Sequence, residues 1–364
     1  MVTLWIVAVT VLAALASYTL VGLAVRHAAT LGMMDVPRPG EVQVRAVPRN
    51  GGYGMLAAVW LAVGLAVFAR PAEIQAAPGD DWKLLGVMLG SLLIIPLAMV
   101  DDRKRLGAAA QFGGQFAIAA VPVAFGLRIE SIASPLGSAV QLPVWLGIIL
   151  TVLWIVGMIN AINLIDVMDG LAGGIALMGA GVLFFRSLMF GQYTIAVLPL
   201  SLAGATLGFL PHNFHPAKIF MGTSGSVLLG YWLATMSVIG GAKVGTAFVV
   251  LGVPILNTAW VIGRRALAGR SPFKGGDSEL LPQRLHALGL SQLQSVILLY
   301  AICGVFGLLS LTLHAPLEGP YLTPPITKLW LSIGMVAVMG IVLATVTYLS
   351  VRRRSKTPAK LSDS

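Results

Sequence analysis

The chain has 364 residues, 57% hydrophobic and 10% charged, which is too apolar for a soluble globular protein and too long for a single membrane anchor. Its formal charge of +10 does not point to nucleic acid, because the basic residues sit between apolar runs and the aromatic-interleaved basic patch of a nucleic-acid binder is missing. The one cysteine, Cys303, lies inside an apolar run, can make no internal disulfide and reads as a packed small residue.

Taken in order, stretches near the length of a bilayer crossing run from Thr3 to Val25, Tyr53 to Phe68, Leu84 to Val100, Phe112 to Leu127, Pro143 to Ile159 and Leu171 to Phe190, then Tyr193 to Leu210, Ser226 to Gly240, Val244 to Ile262, Leu293 to Leu313 and Leu329 to Ser350. They predict an all-α polytopic integral membrane protein of about eleven transmembrane helices. The first stretch lacks a basic leading region and a small-residue cleavage site, so it is expected to be a retained helix. Residues 1–351 form one transmembrane catalytic-type domain, and 352–364 a basic, disordered tail near anionic headgroups.

With the N-terminus outside, the inner connections hold Arg26, Arg38, Arg45, Arg49, Arg103, Lys104, Arg105, Lys218, Arg264, Arg265, Arg270, Lys274, Arg284, Arg352, Arg353, Arg354, Lys356 and Lys360. The outer side keeps Arg70, Lys83, Arg128, Arg186, Lys243 and Lys328. Positive charge concentrates on the cytoplasmic side of membrane proteins, so the expected topology is N-terminus outside and C-terminus cytoplasmic. The outer connections read as ordinary loops, and the segment from Arg128 to Leu142 suits a short hairpin.

The inner connections carry the chemistry. In the first, Val47-Pro48-Arg49 followed by Gly51-Gly52 predicts a rigid turn that presents an arginine and then allows close approach of a neighbour. In the second, Asp101-Asp102-Arg103 ends an apolar helix, where carboxylates oppose the helix dipole. A bound cation, general-base work or pairing with Arg103, Lys104 or Arg105 would each account for them. The third reads NAINLIDVMDGLAGG and spaces Asn160, Asn163, Asp166 and Asp169 three residues apart before Gly170, Gly173 and Gly174. A step of three falls about 60° short of a helical turn, so the series winds slowly around one helix at a membrane edge. Acidic groups there imply a ligand; a polar helix end with a glycine stop is the plainer alternative. The fourth, PHNFHPAKIFMGTSGS, offers Asn213, His215 and Lys218 beside a turn whose amides open the next helix and suit a phosphate. The fifth is a long basic loop from Arg264 to Ser291, suited to an anionic ligand or to the inner leaflet. Carboxylates for a metal, with cations and helix N-termini for phosphates, equip a site to move a phosphorylated group from a soluble donor to a lipid carrier.

These motifs resemble those of the polyprenyl-phosphate N-acetylhexosamine-1-phosphate transferases of the WecA and MraY type, glycosyltransferase family 4, over nearly the whole chain. NAINLIDVMDGLAGG, the Asp-Asp-Arg motif, NFHPAKIFMG, VPRxGG and RSPF carry the likeness, and HPAKIFMG is nearer the WecA-like branch. The resemblance implies transfer of a sugar-1-phosphate, N-acetylglucosamine-1-phosphate by preference, from a UDP-sugar to polyprenyl (undecaprenyl) phosphate at the cytoplasmic face of the plasma membrane. Membrane lipids are further partners, a homodimer is left open, and no nucleic acid is expected. It implies Mg²⁺, with Mn²⁺ as the alternative ion. Asp101 and Asp102 would lie near the lipid phosphate with Asp102 the general base, and Asp166 and Asp169 near the nucleotide sugar and metal. Catalytic residues are then Asp101, Asp102 and Asp169; metal candidates Asp101, Asp166 and Asp169; and substrate-binding residues Arg49, Asn163, Asp166, Asn213, Lys218 and Arg284.

Four positions depart from the family pattern. Thr223 stands where the family has a metal-ligating aspartate, Leu280-Leu281-Pro282-Gln283 replaces a histidine cluster, Gly40 to Gln43 replaces a basic element, and Asn257 follows Pro254 in place of an aspartate. Mg²⁺ is commonly held by one or two carboxylates, so the metal site is weakened or lost unless Thr223 can substitute. Two other readings stay open: a catalytically silent member that binds lipid phosphate or a partner enzyme, and a transporter, which would gather its polar residues at mid-membrane.

Overall fold

A computed structural model describes residues 1–36, 46–104, 106–133, 139–239, 244–269, 280–313 and 325–356. The Gly40–Gln43 element, the basic loop over 270–279 and the chain end over 357–364 lie outside the described residues.

Helix α1 (Val2–His27) leads through strands β1 (Met34–Asp35) and β2 (Val47–Pro48) to α2 (Gly51–Phe68), α3 (Asp80–Leu92), α4 (Ile94–Lys104) and α5 (Ala108–Ala124). The short antiparallel strands β3 (Ser131–Ala133) and β4 (Ala139–Gln141) form the hairpin expected between Arg128 and Leu142. Then come α6 (Val144–Ile165), α7 (Leu171–Met189), α8 (Tyr193–Asn213), α9 (Gly222–Val238), α10 (Val244–Val250), α11 (Gly252–Leu267), α12 (Leu281–Ala287), α13 (Gln292–Leu313) and α14 (Pro325–Lys356). Helix α14 passes the boundary expected at Val351 and takes in the arginines Arg352 to Arg354.

Each predicted apolar stretch is helical over most of its length; among the described residues 8 helices are long and apolar enough to cross a membrane by length and composition, or up to 9 if one bent pair is a single span, beside the eleven expected. The shortfall falls on α5 and α9, each of 17 residues. Two spans are also broken. Pro96 has no N–H for the Leu92 carbonyl, and the chain restarts as α4. Pro254 leaves the Val250 carbonyl in the same position, and α10 and α11 meet at 78°.

All 17 residues of α9 are buried, and α2, α3, α4, α6, α7, α8 and α10 pack around it. Small side chains permit this, as in other membrane helices whose backbones approach closely. A Cβ on Gly52 of α2 would stand 2.0 Å from the Gly225 nitrogen of α9, and one on Gly230 would stand 2.5 Å from Ile159 Cα of α6. Bulk fills the far half of the helix: Tyr231 and Trp232 are the largest fully buried side chains, and the Tyr231 hydroxyl donates to the Val87 carbonyl at 2.8 Å. The N-terminus of α9 thus becomes the point on which the polar ends of its neighbours converge.

Candidate active site

Chain ends meet there through the backbone first. Gly51 and Gly52 donate to the carbonyls of Phe220 and Met221 at 3.1 and 3.0 Å, and Phe220 donates to the Pro48 carbonyl at 2.8 Å. The close approach expected of Gly51-Gly52 is therefore to the loop that opens α9. Gly222, at φ 68°, leaves no room for a side chain, since its Cβ would lie 2.5 Å from the Arg49 carbonyl.

The two aspartates that end α4 have different surroundings. Asp101 Oδ1 accepts from the Leu106 N–H and from Gln111 Nε2, each at 2.8 Å, and its Oδ2 accepts from Thr223 Oγ1 at 2.5 Å. Buried and holding three donors, Asp101 fastens the α4–α5 junction to α9. Asp102 pairs with Arg49, Nε to Oδ1 at 3.6 Å, accepts the Thr223 N–H at 3.2 Å on the same oxygen, and meets the Tyr53 hydroxyl at 3.4 Å on the other. The partner of the pair thus comes from the first inner motif, and an amide of the first turn of α9 offsets the adverse dipole of α4. The Asp102 side chain is 3% exposed and that of Arg49 32%, so the guanidinium is the open edge of this pair.

The Asn160 to Asp169 series meets a different element at each step, as its slow winding requires. Asn160 Nδ2 donates to Gln115 Oε1 of α5 at 2.6 Å, and Asn163 Oδ1 accepts from Ser226 Oγ of α9 at 3.1 Å. Asp166 caps the end of α6 and is pushed up to about 7. Burial is the largest cause, the Arg49 charge opposes it and the Asp169 charge adds to it. Part of its surface stays open even though protein encloses it. Asp169 Oδ2 accepts from His215 Nδ1 at 2.8 Å and from the Ala217 N–H at 3.1 Å. Gly170 follows at φ 79°, with Phe214 where a Cβ would go and with its carbonyl taking the Tyr300 hydroxyl at 2.6 Å.

Asn213 acts within the protein: its Oδ1 accepts the Gly170 N–H at 3.0 Å and its Nδ2 donates to the Ile219 carbonyl at 2.9 Å, so the amide fixes the loop after α8 to the end of α6. Lys218 is exposed on that loop. Arg284 is buried in α12, where its guanidinium donates to Thr347 of α14. Sequence reasoning did not single out Tyr53, Gln111, Gln115 or Tyr300, and it left His215 without its partner. Gln111 and Gln115, four apart on an otherwise apolar helix, are the signal that was there to be read.

Among the described residues no three His, Cys, Asp or Glu side chains are grouped to hold a metal ion by themselves. Asp101, Asp166 and Asp169 therefore form no closed ligand set. The donors present still fit an ion that arrives with its own phosphate ligands, since Mg²⁺ usually takes one or two carboxylates and keeps waters or substrate oxygens. Asp166 and Asp169, electrostatically coupled and with Asp169 Oδ1 unpaired among the described residues, are the side chains that suit it.

Residues 84–241 match the model of the family described as Glycosyl transferase family 4. The chain is 34% identical over 334 residues to a Bacillus subtilis protein described as a probable undecaprenyl-phosphate N-acetylglucosaminyl 1-phosphate transferase, covering 88% of this chain and 86% of that one. It is 35% identical to the decaprenyl-phosphate N-acetylglucosaminephosphotransferase of Mycobacterium leprae, over 80% of each chain. A phospho-N-acetylmuramoyl-pentapeptide-transferase of Staphylococcus aureus is 32% identical over 45% of this chain and 51% of its own.

Proposed function

The chain belongs to glycosyl transferase family 4, and on that footing we propose that it transfers N-acetylglucosamine-1-phosphate from UDP-N-acetylglucosamine to a polyprenyl phosphate at the cytoplasmic face of the plasma membrane. It is an enzyme of sugar-phosphate transfer to a polyprenyl phosphate, as its relatives of similar length are. An acceptor phosphate oxygen attacks the sugar-bearing phosphorus of the donor, the bond to UMP breaks, and lipid-linked sugar pyrophosphate and UMP leave. The observation that carries this reading is the joining of the Arg49–Asp102–Thr223 contact to the Asp166–Asp169–His215 group at the end of one buried helix.

Asp102 is the group for the acceptor, held by Arg49, Thr223 and Tyr53 beside a guanidinium able to receive a phosphate. It is the general base if the acceptor phosphate arrives protonated. Asp166 and Asp169 face the donor. Mg²⁺, when bound with the donor, neutralises charge on its pyrophosphate. Asp101 and Asn213 position these groups, and Lys218 offers a cation at the cytosolic rim. The carboxylates lie at helix ends, Asp101 and Asp102 in the last turn of α4 and Asp166 after α6, which speaks against a mid-membrane transport site.

The test is purified protein in nanodiscs with UDP-N-acetylglucosamine, undecaprenyl phosphate and Mg²⁺, followed by release of UMP and formation of labelled lipid. Turnover that disappears in Asp102→Asn and Asp169→Asn is expected, and no turnover with any UDP-sugar would end the proposal. One observation favours a second reading, binding without turnover: the Thr223 hydroxyl gives its hydrogen to Asp101 at the position where the family places a metal ligand. Wild-type transfer activity excludes that reading.

A further inference from the structure

We infer that His215 is a positioning residue for the donor nucleotide-sugar, acting through Asp169. This deepens the donor-site assignment above and rests on it. An ionised carboxylate can only accept hydrogen bonds, so the 2.8 Å contact places the hydrogen on His215 Nδ1, donating to Asp169 Oδ2. The Ala217 N–H donates to the same oxygen at 3.1 Å. Two donors on one oxygen fix the plane of the carboxylate and leave Oδ1 without a partner among the described residues. The Asp169 side chain keeps 17% of its surface open, so the unpaired oxygen has access to a ligand.

The donors themselves are held. Asn213 spans from the Gly170 N–H to the Ile219 carbonyl, and the Lys218 N–H returns to the His212 carbonyl at 2.8 Å. Phe214 packs where Gly170 has no side chain. A loop closed on itself through Asn213 and tied to Gly170, the residue after Asp169, presents an imidazole that is itself 53% exposed. With Asp169 assigned to the donor as proposed above, loss of His215 acts on donor binding before it acts on the chemical step.

The experiment compares wild type, His215→Ala, His215→Phe and His215→Asn in nanodiscs, reading UDP-N-acetylglucosamine affinity by labelled-ligand binding together with steady-state KM and kcat. An asparagine amide nitrogen takes the place of Nδ1; phenylalanine keeps the ring and removes the donor. Expected is about a 10-fold rise in Kd and KM for Ala and Phe, the size of one lost hydrogen bond to a charged group, with kcat within about 3-fold and Asn within about 2-fold of wild type. A Phe variant that binds the donor as wild type does would overturn the inference, and so would an Asn variant as impaired as Phe. If Ala fails to fold, the comparison of Phe with Asn decides alone. A wild-type chain that binds UDP-sugar with this His215 dependence but does not turn over sinks the transfer reading and supports the positioning role. A wild-type chain that does not bind UDP-sugar overturns both.

Discussion

Replacing Thr223 by aspartate puts a carboxylate at the position where the hydroxyl now donates to Asp101 Oδ2 at 2.5 Å. The change removes a charge-assisted hydrogen bond to a buried group, a loss of about 1.5–3 kcal/mol. It also sets two like charges about 4 Å apart, roughly 4 kcal/mol at the effective dielectric of a partly wet site. The pair will not carry both charges at neutral pH without help: one carboxyl takes up a proton, as in other close dyads, or a cation binds. In chelator Thr223→Asp should therefore melt well below wild type, by several degrees. With millimolar Mg²⁺ it should recover, since an ion at about a hundred times its Kd contributes roughly 2.7 kcal/mol. Wild type, with Thr223 as hydrogen-bond donor, should show a much smaller Mg²⁺ shift in the absence of UDP-sugar. The assay is thermal unfolding in nanodiscs across an Mg²⁺ titration, with and without donor. A Thr223→Asp protein whose melting ignores Mg²⁺, or a wild type that shifts as far without donor, would refute the reasoning that Asp101, bonded to the Thr223 hydroxyl, holds no ion by itself.

Arg49→Gln leaves the 3% exposed Asp102 side chain with the Thr223 amide and the Tyr53 hydroxyl. The loss should be about 1–2 kcal/mol, below a fully buried pair because Arg49 is about a third exposed, and transfer should fall by at least about 100-fold if Arg49 also takes the acceptor phosphate; Arg49→Lys should recover the stability better than the activity. Asp166, raised from 3.8 to about 7, keeps its proton in the folded state where the unfolded chain has lost it. Its contribution to stability is therefore complete below the unfolded value and disappears as pH rises to about 7, and Asp166→Asn should flatten that part of the melting profile. Since ligation needs the ionised form, Mg²⁺ affinity in the presence of donor should rise with pH through the same range, which calorimetry in buffers of different ionisation enthalpy detects as released proton. Gly52→Ala should be expressed poorly or unfold, because its methyl group would stand 2.0 Å from the backbone nitrogen of Gly225, an overlap that costs more than about 3 kcal/mol; normal melting of that variant would contradict the α2–α9 contact.

The membrane fold was legible because hydrophobic length is a strong signal: each apolar stretch, from Thr3–Val25 to Leu329–Ser350, is helical over most of its length, in one helix or in two. The breaks were less so, because Pro96 and Pro254 interrupt backbone bonding without interrupting hydropathy. At the site, charge and spacing marked Asp101, Asp102, Asp166 and Asp169, but residue type could not say which neighbour would satisfy each. The argument that carboxylates ending α4 require a ligand was incomplete for Asp101, whose partners Gln111 and Thr223 lie on other helices. The alternative of a cationic partner is met from farther away than Arg103 or Lys104: among the described residues Arg49, more than fifty residues earlier, pairs with Asp102 because the glycines after it let α2 reach α9, while Arg105 lies outside the described residues. His215 looked like an ordinary loop residue in the sequence, and its contact with Asp169 depends on a turn fixed by Asn213 that no local pattern encodes.

The division of labour between adjacent aspartates follows from helix geometry. Successive residues on a helix point about 100° apart, so the two carboxylates ending α4 face different sets of partners. Asp101 turns toward α5 and the Thr223 hydroxyl and is consumed there. Asp102 turns toward the Thr223 amide, Tyr53 and Arg49. Thr223 touches both, with its side chain on one and its backbone on the other, so a single residue spaces the pair. A backbone amide at that position survives any substitution except proline, whereas the hydroxyl does not. Asp102 should therefore keep its place in Thr223→Val while Asp101 loses a partner. If acceptor binding depends on Asp102 and Asp101 has a positioning role, Thr223→Val should lower stability more than it raises the KM for polyprenyl phosphate. The reverse ordering would move the acceptor site from Asp102 to Asp101.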